Sequence, residues 1–112
     1  MRYKRILLKL SGEAISGGKD GILDFGFIDR IADTLKRCTD AGVQVAVIVG
    51  AGNIWRGAKG VGMDRSRADS MGMLATIINA LGLEDEFCRR GLDAVAMSAI
   101  EINEFLELYS PK

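Results

Sequence analysis

Val43-Gln44-Val45-Ala46-Val47-Ile48-Val49-Gly50-Ala51-Gly52-Asn53 is the stretch that decides the fold. Its first seven residues form a near-continuous apolar run, bounded by Gly42 and Gly50. Such a run reads as a strand covered on both faces, and double coverage favours a parallel sheet. Upstream of it, Phe27, Ile28, Ile31, Ala32, Leu35 and Cys38 recur at helical spacing. Asp24 is placed to cap that helix and Gly42 to stop it. Further upstream, residues 4–11 predict a first buried strand, which Gly12 ends. Gly17, Gly18, Gly21 and Gly26 make residues 16–26 a loop or a tight hairpin. Downstream, a looser glycine-containing stretch runs to Asp64. A long helix is predicted over 66–90, with Met71, Leu74, Ala75, Ile78, Leu81, Leu83 and Phe87 as its apolar members and Gly91 as its stop. Gly72 and Gly82 weaken this helix without ending it. Asp93–Met97 predicts a third strand, and residues 101–108 a short helix. Strand, helix, strand, helix, strand is an α/β order, with right-handed crossovers and a mostly parallel sheet.

Composition narrows the function classes. The 112 residues have room for one domain, and 48% of them are hydrophobic, enough for a core. Fifteen Lys+Arg balance fifteen Asp+Glu, so nothing points to a nucleic-acid partner. Histidine is absent, and Cys38 and Cys88 stand far apart, which removes Cys-His catalysis and a metal site and leaves two reduced thiols. No apolar stretch approaches a membrane span, and no signal peptide is visible. A cytoplasmic chain without a membrane partner is expected.

In open α/β sheets, ligands gather at the carboxyl ends of the strands. Two glycine-bearing loops lie at such ends: Lys9-Leu10-Ser11-Gly12 after the first strand and Gly50-Ala51-Gly52-Asn53 after the second. Glycines let backbone N–H groups approach an anion closely. Lys9 adds a cation at that edge, and Arg56 adds another with a fork suited to phosphate oxygens. Together these parts describe a polyphosphate grip, which is most of what phosphoryl transfer asks of a protein. Neither loop is a Walker P-loop or a GxGxxG fingerprint. Taken singly, each residue also has a plain reading. Gly50-Ala51-Gly52 makes an ordinary turn, Lys9 snorkels to water, and Arg56 sits on the surface. Asp69 is a favourable acid in the first turn of a helix. Trp55 caps the core or stacks a base, and the core reading is favoured.

Three tracts go beyond generic chemistry. Lys4-Arg5-Ile6-Leu7-Leu8-Lys9-Leu10-Ser11-Gly12-Glu13-Ala14, Gly50-Ala51-Gly52-Asn53-Ile54-Trp55-Arg56-Gly57 and Asp69-Ser70-Met71-Gly72-Met73-Leu74-Ala75-Thr76 closely resemble the bacterial UMP kinases, and Ala96-Met97-Ser98-Ala99-Ile100 continues in register. The first two loops are shared more widely with amino-acid kinases. The resemblance covers essentially the whole chain. It implies an α/β/α sandwich with a mostly parallel sheet, of which residues 1–112 would be the N-terminal half of a single domain. It implies transfer of a phosphoryl group from ATP, with Mg²⁺, to UMP, giving UDP for pyrimidine biosynthesis. Lys9, as the catalytic residue, would contact ATP phosphates together with Leu10, Ser11, Gly12, Gly52 and Arg56. Ala51 and Asp69 would contact UMP. The segment Gly17, Gly18, Lys19, Asp20, Gly21 and Ile22 falls where the family binds its activator GTP. Members are homohexamers in which the helix after Asp69 packs between subunits.

This sequence departs from the family twice. The second loop usually has three glycines, and here the middle one is Ala51. Members are also about twice as long. The remainder would supply the adenine pocket, more of the UMP site and a further carboxylate, so this chain alone is expected to be inactive. It is also expected to leave an open sheet edge and an uncovered apolar face. Two other readings stand beside this one: an amino-acid kinase with a carboxylate acceptor (acetylglutamate, glutamate or aspartate), and a non-catalytic nucleotide-binding or oligomerising module. The tract from Asp69 to Thr76 argues against the first.

Overall fold

Strand β1 (Arg5–Leu10) runs parallel to strand β2 (Gln44–Val49), with Arg5 opposite Gln44 and Leu10 opposite Val49. This is a computed structural model, and it describes residues 3–18, 21–55 and 62–97. Between the strands come a short helix, α1 (Gly12–Ser16), and a longer one, α2 (Phe25–Asp40); helix α3 (Arg65–Arg89) follows β2. Parallel pairing requires a crossover, and α2 supplies it. Helix α1 was not expected. At five residues it is too short to carry a periodic signal, and it lies between the first strand and the segment read as a loop or hairpin, sharing only Ser16 with it.

The alternation along the strands assigns their faces. Leu8 and Leu10 of β1 and Val45, Val47 and Val49 of β2 pack on a core of Ile15, Ile28, Ala32, Leu35, Leu83 and Phe87. Both long helices therefore lie against one face of the sheet. The opposite face was expected to be covered as well. Among the described residues it is not: Leu7 is 59% exposed and Ile48 51%. The bare apolar face foreseen for a partial sandwich is therefore present there.

Local chemistry sets the helix ends. Asp24 Oδ1 accepts from the N–H groups of Gly26 (3.0 Å) and Phe27 (3.4 Å), capping α2 as expected. Asp64 does the same for α3 through the Arg67 N–H at 3.0 Å. Both helices close in one way. Gly42 and Gly91 take φ of 87° and 91°, conformations that favour glycine. The residues after them reach back three carbonyls into the helix: Val43 N–H to Cys38 at 3.0 Å, and Leu92 N–H to Phe87 at 3.0 Å. At the end of α3, Arg90 holds both carboxylate oxygens of Asp33 on α2, at 2.8 and 2.9 Å. That hydrogen bond, then the charges of Asp33 and Asp29, raises the Arg90 pKa further above its ordinary value.

The third strand is not formed. Residues 92–97 lie outside any ladder, with Val95 75% exposed, and the sheet has two strands among the described residues. This segment is instead tied to α3 by the Ala96 N–H, which donates to Glu84 at 2.5 Å. A hollow of about 360 Å³ separates it from β2, walled by Val45, Val47, Val49, Leu83, Phe87 and Val95. The residues carry strand propensity, but a strand needs a ladder partner, and the free edge of β2 stands across this gap. The helix expected over 101–108 lies outside the described residues.

Candidate functional site

The loops that end β1 and β2 are neighbours. The pairing of Leu10 with Val49 carries both strands to the same edge, and the Gly50 N–H extends the ladder by donating to the Leu10 carbonyl at 2.9 Å. Beyond it the backbones interlock. A Cβ added to Gly12 would run into the Gly52 nitrogen and lie 2.6 Å from Asn53 Oδ1 and 2.7 Å from its backbone nitrogen. Only glycine permits that approach. A Cβ on Gly50 would in turn rest 3.6 Å from the Gly12 nitrogen. The lysine and glycine loops thus meet backbone to backbone, as the phosphate-grip reading requires.

Lys9 is exposed one residue before β1 ends. Ser11 is the N-cap of α1, its Oγ accepting from the Ala14 N–H at 3.0 Å. An accepting hydroxyl still has its proton to donate. Gly12 is buried, while Ala51 and Gly52 are half-buried. The Ala51 carbonyl accepts from the N–H groups of Ile54 and Trp55, both at 2.9 Å, which folds the loop into a tight turn.

Trp55 leads that turn to α3. Its indole N–H donates to the Ala68 carbonyl at 3.0 Å, and its ring packs near Gly72. Trp55 is half-buried against α3 rather than part of the main core, and Gly72 gains a reason to sit inside a helix. Asp69 follows Ala68 directly and is exposed. It is the fifth residue of α3, which begins at Arg65, one residue before the expected start. Of the remaining segment, Gly17 and Gly18 form a left-handed turn with φ of 65° and 71°. Gly21 and Ile22 are exposed. Lys19, Asp20 and Arg56 lie outside the described residues. Among the described residues, no group of three or more His, Cys, Asp and Glu could hold a metal ion.

Two residues were not singled out for the site. Asn79 is fully buried in the middle of α3. Its Nδ2 donates to the Gly50 carbonyl at 2.8 Å and to Asn53 Oδ1 at 2.7 Å. Asn53 Nδ2 returns a bond to Asn79 Oδ1 at 2.9 Å and reaches the Ile22 carbonyl at 2.7 Å. A signal for Asn79 exists in the sequence: it interrupts the stripe Ala75, Asn79, Leu83 at a position where spacing calls for an apolar side chain.

Comparison with known proteins agrees with this architecture. The amino acid kinase family model matches residues 4–110. The crystal structure of a UMP kinase from Ureaplasma parvum superposes with a TM-score of 0.79 at 38% identity, covering 98% of this chain and 49% of that one. A UMP kinase structure from Bacillus anthracis gives a TM-score of 0.72 at 37% identity, covering 80% of this chain and 38% of that one. The chain therefore spans half or less of the length of these structures.

Proposed function

Since the chain belongs to the amino acid kinase family, we propose that it forms the phosphate-gripping part of an enzyme that transfers a phosphoryl group from ATP to UMP. An oxygen of the UMP phosphate attacks the γ-phosphorus, the bond to the β-phosphate oxygen breaks, and ADP and UDP result. In this reading Lys9 holds its ammonium against the transferred group, where charge spreads over the equatorial oxygens in the transition state. Backbone amides around Leu10, Ser11, Gly12 and Gly52 cradle the ATP phosphates, with Arg56 as a second cation. Ala51, through its backbone, and Asp69 face UMP. Mg²⁺ enters as part of MgATP and neutralises the phosphates. Residues Gly17–Ile22 are the proposed seat of an activating GTP.

One observation carries the reading: the contact between Gly12 and Gly52 at the carboxyl ends of neighbouring parallel strands, with Lys9 exposed beside it. The relatives named UMP kinase support the choice of acceptor. A titration of the ¹⁵N-labelled chain tests it. MgATP and UMP are expected to shift the amides of residues 9–12 and 50–53, N-acetylglutamate is expected to leave them in place, and Lys9→Met is expected to weaken the MgATP response. Shifts confined to other parts of the chain would overturn the reading. A turnover assay with the chain alone is expected to yield no UDP above background.

A second feature supports self-association. Met71, Ile78 and Leu81 are 39%, 51% and 54% exposed, and with Leu74 they follow a three-four spacing along the outer side of α3. We assign this stripe to a contact between copies in a homo-oligomer, of hexameric form in the reading adopted here.

A further inference from the structure

We propose that Asn53 and Asn79 are positioning residues whose paired amides set the direction of the Ala51 N–H in the loop after β2. The inference rests on the reading of that loop as a substrate-binding element.

Every side-chain nitrogen and oxygen of the two amides has a partner. Asn79 gives its two N–H groups to the Gly50 carbonyl and Asn53 Oδ1; Asn53 gives its own to the Ile22 carbonyl and Asn79 Oδ1. The orientation of both amides follows from the backbone groups they meet. Gly50 and Ile22 offer carbonyls, which only accept, so an NH₂ must face each of them. Packing alone would fill position 79 with a leucine, as at Leu83 one turn on. A buried amide in that place is tolerated because each of its groups is satisfied.

The pair acts on the loop through peptide geometry. No peptide bond among the described residues is cis. In a planar trans peptide the C=O and the following N–H point in opposite directions. Asn79 draws the Gly50 carbonyl into the helix, so the Ala51 N–H must point away from α3. Without Asn79, the Gly50–Ala51 peptide plane loses the bond that sets its rotation. Asn53 adds a second tie, from the same loop to Ile22 at the end of the glycine segment. One buried residue of α3 therefore sets the loop after β2 directly, and reaches Ile22 through Asn53.

Backbone ¹⁵N relaxation on the full chain tests this, with MgATP and UMP titrations on the same samples. Asn79→Leu is expected to lower the order parameters of Ala51 and Gly52 from the rigid range of about 0.85 to below about 0.6. Affinity for UMP is expected to fall by at least about tenfold. Leu83→Ala is the control: it damages the same buried stripe, but its side chain makes no hydrogen bond to either loop. It is expected to lower the melting temperature while leaving the loop order parameters and UMP affinity near wild type. Should Asn79→Leu fail to fold, Asn53→Ala removes the pair from the loop side and is expected to loosen Gly52 and Ile22 together. Unchanged order parameters in the folded variants, or equal loosening in Leu83→Ala, overturn the proposal. If the wild-type chain binds neither nucleotide, the functional reading fails, while the order parameters still decide whether the pair holds the loop.

Discussion

Helices α2 and α3 lie side by side on one face of the sheet and use their surfaces differently. Helix α2 is one-sided: Ile28, Ala32 and Leu35 are buried, while Arg30, Asp33, Thr34 and Arg37 face water. Helix α3 carries two apolar faces. Ala68, Ala75, Leu83 and Phe87 are buried, and Met71, Ile78 and Leu81 are exposed on another side. Between the apolar members of its buried face sits Asn79. A helix that only closes a core needs one stripe. The second stripe of α3 and its buried amide go beyond that requirement. They mark it as the element that meets a binding loop on one side and, in our reading, another copy of the chain on the other.

Four substitutions can break or sharpen this contrast. The largest loss is expected from Ile28→Ala on α2, about 2–5 kcal/mol by denaturant unfolding, because its side chain is fully buried. Asn79→Ala on α3 leaves the Gly50 carbonyl and the Asn53 amide short of partners, at a cost of about 1–3 kcal/mol in the same measurement. Asp24→Ala removes the cap of α2 and is expected to lower stability by about 1 kcal/mol, read from the midpoint of a thermal melt. The smallest change in subunit stability, within about 0.5 kcal/mol, is expected from Ile78→Lys on the outer stripe of α3. That variant should nevertheless abolish self-association in sedimentation velocity. If it stayed assembled like wild type, or lost as much stability as Ile28→Ala, the distinction between the two faces of α3 would fail.

Much of the fold was legible where local chemistry repeats. Asp24, Gly42 and Gly91 each do at α2 or α3 what their residue types predict, because caps and stops act within a few residues. The β2 strand was readable as an apolar run, but the coverage of its faces was not. Ile48 and Val47 are both aliphatic, yet only Val47 finds the core. Which face is buried depends on what packs against the sheet. The segment 93–97 carries strand propensity, but a ladder requires a partner at the right distance, and the hollow beside β2 intervenes. The bounds of α3 were legible to within a residue, Arg65–Arg89 against the expected 66–90, and Asp64 caps it.

The candidate site divides in the same way. Lys9, Ser11, Gly12 and the 50–53 loop were identifiable because glycine and a cation at a strand's end are a local pattern. Their meeting rests on the β1–β2 register, which brings Gly12 and Gly52 together across forty positions of chain. Asn79 was visible as an odd residue in an apolar stripe, but nothing local names its partners. The described residues also contain no helix long and apolar enough to cross a membrane, consistent with the short apolar runs of the sequence.

By itself the sequence determined the two strands, the two long helices, their ends and the loops that are candidates to grip an anion, because propensity, capping and glycine's freedom act over a single turn of chain. Tertiary structure alone decided which strand face is buried, that Gly12 and Gly52 touch, and that Asn79 holds the loop. Those outcomes depend on packing and hydrogen bonds between segments distant in the chain, and no short-range pattern encodes them.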